Sequence, residues 1–178
     1  MVNLPDKKYG VIYADPPWLF RTRSDKGKEK SPEQHYDCMS LNDICNMGVK
    51  DIALPDSVLL MWVCDPMLDQ ALEVINAWGF KYKTVGFTWA KTNRKKLGFF
   101  TGLGYWTRGN PEMCLLATKG RPSRKAMDVA QLVVSQRGKH SEKPLLHKEI
   151  ERLVDGPYID LFARKKPYDN WDYWGNEV

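Results

Sequence analysis

The sequence predicts an α/β domain with a mostly parallel β-sheet and helices on both faces. Two observations lead to this fold class. Short apolar runs typical of buried strands recur along the chain, and segments with helical spacing or turn-forming residues separate them. Strands that alternate with helices are typical of a parallel sheet that helices cover on each side. The clearest runs are at 11–14, 58–63, 112–118 and 158–163.

The other elements follow from spacing and from capping residues. Apolar residues three and four positions apart predict helices at 65–78 and 144–153, and a short helix is predicted at 41–49 with Ser40 or Asn42 as its cap. Asp65 is the predicted N-cap of the middle helix, because Pro66 follows it in the first helical position. Segments rich in β-forming residues predict two more strands, at 81–90 and 131–135.

Two long segments between these elements are basic and rich in aromatic residues, at about 19–36 and 91–110. Cations suit phosphates and rings suit bases, so such loops are typical of a nucleic-acid clamp. The alternative is that the rings cover the core from outside. The net charge of +5 also fits an anionic partner. Because the chain of 178 residues has no repeat and no linker, we expect a single domain over 1–178.

The cysteine and histidine residues show no metal-binding pattern. The four cysteines form no C-x-x-C pair, and the three histidines have no metal-ligand spacing with them. We therefore expect no metal ion, and reduced thiols of the kind found in cytoplasmic proteins. We expect no membrane association, because there is no apolar signal segment and the apolar runs are too short to span a bilayer.

Asp15-Pro16-Pro17-Trp18 directly follows the first predicted strand, and open α/β sheets bind their ligands at such strand ends. The Asp15 carboxylate and the carbonyl of Asp15 or Pro16 can accept hydrogen bonds from the two N–H groups of a base's exocyclic amine. These bonds favour the tetrahedral nitrogen that attacks a methyl donor. The prolines stiffen the backbone, and Trp18 offers a ring on which a base stacks. The alternative is a plain Pro-Pro turn with Trp18 in the core.

Several further motifs accompany this turn in a fixed order. They are His35-Tyr36, Leu60 to Val63, Trp78 to Phe80, Trp89 to Asn93, Gly104 to Arg108, Glu112 to Gly120, His140 to Pro144, Asp160 to Arg164, and Trp174 to Glu177. With them, the chain resembles the MT-A70-like family of mRNA N6-adenosine methyltransferases and its small bacterial and phage relatives. The resemblance runs nearly from end to end.

The resemblance implies a Rossmann-like class I methyltransferase that uses S-adenosylmethionine and no metal. It implies a permuted (beta-class) motif order, with the amine-activating strand first and the cofactor strand near the C-terminus, which explains why no G-x-G-x-x-G occurs. The implied cofactor-binding residues are Asp15, Lys143, Phe162, Arg164, Asn176 and Glu177. The family often has Gln at the position of Glu177, and residues 165–170 depart from the eukaryotic pattern.

The resemblance also implies the catalytic and substrate-binding residues. Asp15 accepts from the amine, Pro16 supplies a carbonyl, and Pro17 and Trp18 wall the base pocket. The implied substrate-binding residues are Tyr36, Arg108, Glu112 and Lys143. For Glu112 the alternative is a solvent-exposed glutamate at a strand end.

The implied activity is N6-methylation of adenine in nucleic acid, with DNA favoured over RNA. The alternative is a catalytically silent nucleic-acid-binding subunit of a heteromeric methyltransferase. The expected partners are adenine-containing DNA or RNA and either a second copy of the chain or a partner methyltransferase subunit. The expected location is the cytoplasm of a bacterial or phage-infected host cell.

Overall fold

The computed structural model describes residues 3–19, 38–138, 142–176 and 178. The strands are β1 (Tyr9–Ala14), β2 (Ala53–Val63), β3 (Lys81–Thr92), β4 (Glu112–Lys119), β5 (Leu132–Gln136), β6 (Tyr158–Leu161) and β7 (Trp171–Trp174). The helices are α1 (Leu41–Cys45), α2 (Val49–Ile52), a 3-10 helix (Asp65–Met67), α3 (Leu68–Ala77) and α4 (His147–Leu153). None of the helices in this described part is long and apolar enough to cross a membrane.

The strands form one sheet with the order β5-β3-β4-β2-β1-β6-β7. Strands β2, β1, β6 and β7 run parallel to one another, and β5 runs parallel to β3. Strand β4 lies between β2 and β3 and is antiparallel to both. The sheet is therefore mostly parallel, as the sequence predicts, with one strand reversed near its centre.

The two faces of the sheet carry separate apolar cores. Ile12 and Ala14 of β1 pack into a core that includes buried residues of α1, α2 and α3. Val11 and Tyr13 face the opposite way and pack into a second core with Ile150 of α4. Every residue of β1 is buried, as expected for a central parallel strand. The prediction of helices on both faces is confirmed.

The helices differ from the prediction at their ends. A single helix at 41–49 is wrong, because Gly48 adopts a φ of +76° between α1 and α2. Asp65 as an N-cap is also wrong, because Cys64 caps a 3-10 turn that contains Asp65 and Pro66. Helix α4 begins at His147 and not at residue 144. Gly79, with a φ of +80°, follows α3 as predicted.

Strand β7 was not predicted from the sequence. It has only four residues, and its pattern alone does not distinguish it from a loop. It is a strand because it pairs in parallel with β6, with Tyr158 opposite Trp171 and Leu161 opposite Trp174. This pairing brings the end of the chain beside the end of β6.

The register of the sheet gathers several segment ends at one edge. Ala14, the last residue of β1, lies between Met61 of β2 and Leu161 of β6. Because β4 is reversed, its second residue, Met113, pairs with Val63 at the end of β2. The residues that follow β1, β2 and β6 and the residues that begin β4 therefore meet at this edge.

Candidate active site

Asp15 is the first residue after β1, and its backbone N–H donates to the carbonyl of Leu161 at 3.4 Å. Backbone hydrogen bonds also order the prolines that follow. The N–H of Trp18 donates to the Pro16 carbonyl at 2.9 Å, and the N–H of Met39 donates to the Pro17 carbonyl at 3.0 Å. A carbonyl oxygen has two lone pairs, so Pro16 can accept one more hydrogen bond. The turn therefore holds the Asp15 carboxylate and the Pro16 carbonyl in fixed positions.

Trp18 belongs mainly to the interior of the protein. Its side chain is only 7% exposed, and its indole N–H donates to the Trp62 carbonyl at 3.1 Å. It packs with the residues of the first core. Any contact between Trp18 and a base is therefore restricted to the small exposed part of the ring, while the rest of the ring holds the turn in place.

Lys143 pairs with both Asp15 and Glu112 and is part of a row of four charged side chains. Its ammonium lies 3.3 Å from Oδ1 of Asp15 and 2.8 Å from Oε2 of Glu112. The second carboxylate oxygen of Glu112 forms a close ion pair with Lys91 of β3. All four side chains are between 14% and 30% exposed, so water screens these charges weakly. The four charges alternate in sign, and we call this row the charged chain: Asp15, Lys143, Glu112 and Lys91.

The sequence predicts a site role for Asp15, Lys143 and Glu112, but it predicts none for Lys91. Lys91 lies in the quoted Trp89 to Asn93 motif, and Trp89 pairs with Glu112 across the β3–β4 ladder. Side chains two positions apart on a strand share a face, so Lys91 points to the same side as Trp89. A known β3–β4 register would have indicated this contact, but that register cannot be read from periodicity.

The charged chain fixes the protonation states of its inner members. Burial alone would lower the pKa of the Lys143 ammonium, but the carboxylates of Asp15 and Glu112 raise it well above its usual value. Burial alone would raise the pKa of Glu112, but Lys143 and Lys91 outweigh it and lower that pKa. Lys143 is therefore a permanent cation and Glu112 a permanent anion near neutral pH.

Asp15 behaves differently from Glu112. Burial raises its pKa, and the negative charge of Glu112 adds to the rise, while Lys143 and Arg164 oppose it. The net direction is upward, so Asp15 takes up a proton more readily than an ordinary aspartate. A carboxylate of this kind can both accept a hydrogen bond from an amine and hold a proton released by it.

Cys64 lies next to this cluster and does not act as a nucleophile there. Burial raises the pKa of its thiol to about 11, so the thiol stays protonated. Burial, followed by the charge of Glu112, also raises the pKa of the neighbouring Asp65. Within the described ranges, no group of three or more His, Cys, Asp or Glu side chains is arranged to hold a metal ion.

The end of β6 forms the other side of the site. Phe162 has a φ of +65°, and its ring meets Trp174 edge-on at 5.5 Å between centroids. The N–H of Ala163 donates to the Trp174 carbonyl at 3.1 Å. Gly175 lies so close that a Cβ there would be 2.5 Å from the Ala163 carbonyl oxygen. These contacts hold the C-terminal segment that carries Asn176 against the turn after β6.

The remaining predicted site residues have different environments. Arg164 is partly buried, and its charge reaches Asp15. Asn176 is exposed at the same edge, while Arg108 is exposed on the loop between β3 and β4 and is not one of the four linked charges. Tyr36 and Glu177 lie outside the described residues.

This set of side chains fits S-adenosylmethionine. The cations of Lys143 and Arg164 suit its carboxylate, and the Asp15 carboxylate suits its ammonium or sulfonium group. The amide of Asn176 suits the ribose hydroxyls. The open edge beyond β1 and β6 is where α/β sheets bind such molecules.

A Rossmann-like sheet that presents an Asp-Pro-Pro-Trp turn beside a partly buried lysine defines a methyltransferase domain. The model of the MT-A70 family matches residues 9–177, and the chain belongs to this family.

Two groups of relatives are similar to the chain. The Type II methyltransferase M.MunI of Mycoplasma sp is 33% identical over 201 residues, which cover 99% of the chain and 80% of that protein. The N(6)-adenosine-methyltransferase catalytic subunit METTL3 of Homo sapiens is 27% identical over 96% of the chain. The MT-A70-like protein of Drosophila melanogaster is also 27% identical. The chain spans only 28% of the human protein and 27% of the Drosophila one.

Proposed function

We propose that this chain transfers the methyl group of S-adenosylmethionine to the N6 amine of adenine in nucleic acid, with DNA as the preferred polymer. The observation that carries the proposal is the position of Asp15, held by the Pro-Pro turn 3.3 Å from the ammonium of Lys143. The DNA preference is supported by the higher identity to the type II methyltransferase, 33% against 27% for METTL3. Residues 1–178 act as a single domain in this proposal.

The turn prepares the amine for attack. The lone pair of the adenine N6 is delocalised into the ring, so the nitrogen is a poor nucleophile while it stays planar. The Asp15 carboxylate accepts from one N–H, and the free lone pair of the Pro16 carbonyl accepts from the other. Two acceptors in a fixed position favour the pyramidal nitrogen and stabilise the charge that develops on it.

When bound, S-adenosylmethionine supplies an electrophilic methyl group on a sulfonium sulfur. Lys143, Arg164 and Asn176 would hold this cofactor, and its methyl group would be open to direct attack by the amine without alkylation of an enzyme residue. The methylated amine then gives up one proton. Lys143 cannot take it because it is already an ammonium, whereas Asp15, with its raised pKa, can hold the proton and pass it to water.

The charged chain positions both reactants. Glu112 draws Lys143 toward the substrate side of Asp15, and Lys91 balances the charge of Glu112. Lys143 is thus held where it contacts the Asp15 carboxylate and also faces the ring of Trp62 at 5.6 Å. Glu112 and Lys91 act through Lys143 and are positioning residues.

The test is methyl transfer from labelled cofactor to DNA and RNA of matched sequence, with the product identified by mass spectrometry. We expect N6-methyladenine in DNA, and a loss of at least about 100-fold in Asp15→Asn. Asp128→Asn is a matched control, because it removes an exposed carboxylate that pairs with Arg152. Activity that survives in Asp15→Asn, or a methyl group on another atom, would show the proposal to be wrong.

A further inference from the structure

The loop between β3 and β4, residues 93–111, carries an unusual combination of side chains. It contains no acidic residue, and its cations are Arg94, Lys95, Lys96 and Arg108. It also exposes large apolar side chains: Leu97 is 100%, Phe99 63%, Leu103 63% and Trp106 106% exposed. An apolar surface of this kind on an otherwise cationic loop indicates a binding site.

The base of this loop is a defined structure. The side chain of Asn110 accepts from the N–H of Lys91 and donates to the Lys91 carbonyl, both at 2.9 Å. The amide of Asn93 donates to the carbonyls of Gly98 and Phe99. The loop is therefore anchored on the backbone of Lys91, whose side chain is also the last member of the charged chain at the active site.

Trp106 lies at the strained tip of the loop. Its φ is +61°, a region that residues with a Cβ rarely adopt. The N–H of Thr107 donates to the Tyr105 carbonyl at 2.6 Å, and a Cβ on Gly104 would lie 2.4 Å from the Thr107 carbonyl oxygen. This close backbone contact holds the Trp106 indole in solvent, where it has no packing of its own.

We propose that Trp106 is a wedge that enters the base stack of duplex nucleic acid beside the target adenine. The inference rests on the proposed function, since an adenine in a duplex must leave the stack before its amine reaches Asp15. Aromatic rings stack on any base, and apolar side chains that enter a base step unstack it. Trp106 is four residues from Asn110, so it lies within about 15 Å of the base of the loop.

The charges of the loop select nucleic acid over a protein as the occupant. The cores of protein interfaces are depleted in charged residues. Here four cations share the loop with its exposed apolar side chains, and the loop has no acidic residue. The phosphates of a nucleic acid neutralise these cations, and its bases can stack on the Trp106 ring. A second copy of the chain would bring the same cations together.

The first test compares native plasmid DNA with the same DNA after heat denaturation, and measures N6-methyladenine by mass spectrometry. We expect Trp106→Ala to lose at least about 10-fold on native DNA and less than about 2-fold on denatured DNA. Trp106→Phe should retain most of the activity because it keeps a ring. Met127→Ala is the matched control, since Met127 is 83% exposed and lies outside the loop.

The second test does not depend on methyl transfer. Insertion of a ring between base pairs unwinds closed-circular DNA, so a plasmid relaxed by a topoisomerase in the presence of the wild-type protein should change its linking number. Trp106→Ala should abolish this change and leave the protein folded, because the ring packs against nothing.

The outcomes separate the wedge from the proposed function. Equal losses on native and denatured DNA, or a wild-type protein that methylates only denatured DNA, would overturn the wedge and leave the methyltransferase proposal intact. A sedimentation change from dimer to monomer in Trp106→Ala would also overturn it, in favour of a second copy. If no adenine is methylated, the proposed function fails, and the linking number alone decides the wedge.

Discussion

The ammonium of Lys143 lies 3.3 Å from the carboxylate of Asp15, although the two residues come from opposite ends of the chain. The parallel sheet brings them together, because Asp15 follows the central strand β1 and Lys143 precedes α4. Each residue alters the proton affinity of the other, and Glu112 alters both.

Lys143→Met should reduce methyl transfer by about 100-fold, because it removes a fixed charge next to the reacting groups. It should also change the pH dependence. Asp15 must be ionised to accept from the amine, and Lys143 lowers the pKa of Asp15. Without Lys143 that pKa rises further, so the acid limb of the kcat/KM profile should move to higher pH. Lys143→Arg keeps the charge and should leave the limb near its original position.

Glu112→Gln should destabilise the protein by about 3 kcal/mol at pH 7, because it leaves two partly buried lysines without their carboxylate. The folded-state pKa of Glu112 is lowered, so its contribution is present above its unfolded pKa of about 4.3 and is lost as pH falls through the folded value. Urea unfolding of both proteins should therefore show a difference that shrinks on acidification. A difference that stays constant down to about pH 3 contradicts this account.

The double variant Lys91→Met/Glu112→Gln measures the coupling between the two side chains. If Lys91 serves mainly to balance Glu112, the double variant should be less destabilised than the sum of the two single variants by about 1 kcal/mol or more. Lys148→Met is the comparison, because the ammonium of Lys148 pairs with Glu151 on the surface of α4. That change should shift stability by less than about 0.5 kcal/mol.

Asp160→Asn should become more stabilising as pH rises. Burial raises the pKa of Asp160, and its hydrogen bond with Nε2 of His147, at 3.0 Å, opposes this only in part. A carboxyl with a raised folded-state pKa contributes stability below its unfolded pKa of about 3.9, and this is lost as pH rises through the folded value. The stability of the variant relative to wild type should therefore increase from about pH 4 to pH 7. Denaturant midpoints at several pH values measure it, and a flat difference would refute it.

Gly175→Ala should weaken the binding of S-adenosylmethionine by about 10-fold or more in a calorimetric titration, because its Cβ would push the C-terminal segment away from Ala163.

Removal of residues 176–178 should abolish binding and leave the sheet folded, since β7 ends at Trp174. Calorimetric titration measures affinity, and circular dichroism reports whether the sheet persists. Unchanged affinity in the truncated chain would remove Asn176 and Glu177 from the cofactor site.

The predictions that succeeded from sequence are those that rest on local pattern. The apolar run of β1 and the prolines after it indicate a strand end that presents Asp15, and the structure has this arrangement. The strand at 112–118 was also predicted, and it is observed as β4 at Glu112–Lys119. The direction of β4 was not predicted, because an apolar run is compatible with both parallel and antiparallel pairing.

The missed features depend on contacts between distant segments. Lys91 meets Glu112 only through the β3–β4 register, which has irregularities along its length. Strand β7 exists through its pairing with β6, and Gly48 divides a helix whose apolar spacing continues across it. The burial of Trp18 agrees with the alternative that places it in the core, but no local signal indicates its hydrogen bond to the Trp62 carbonyl of β2.

The order of the strands places the predicted site residues in two groups, one on each side of β1. The side toward β6 and β7 ends in Phe162, Arg164 and the C-terminal segment, whereas the side toward β2, β4 and β3 ends in the charged chain and the loop that carries Trp106. Asp15 lies between the two groups, because β1 pairs with β2 on one side and with β6 on the other. We therefore expect chimeras that replace residues 93–111 to change the polymer specificity while they keep the binding of the methyl donor.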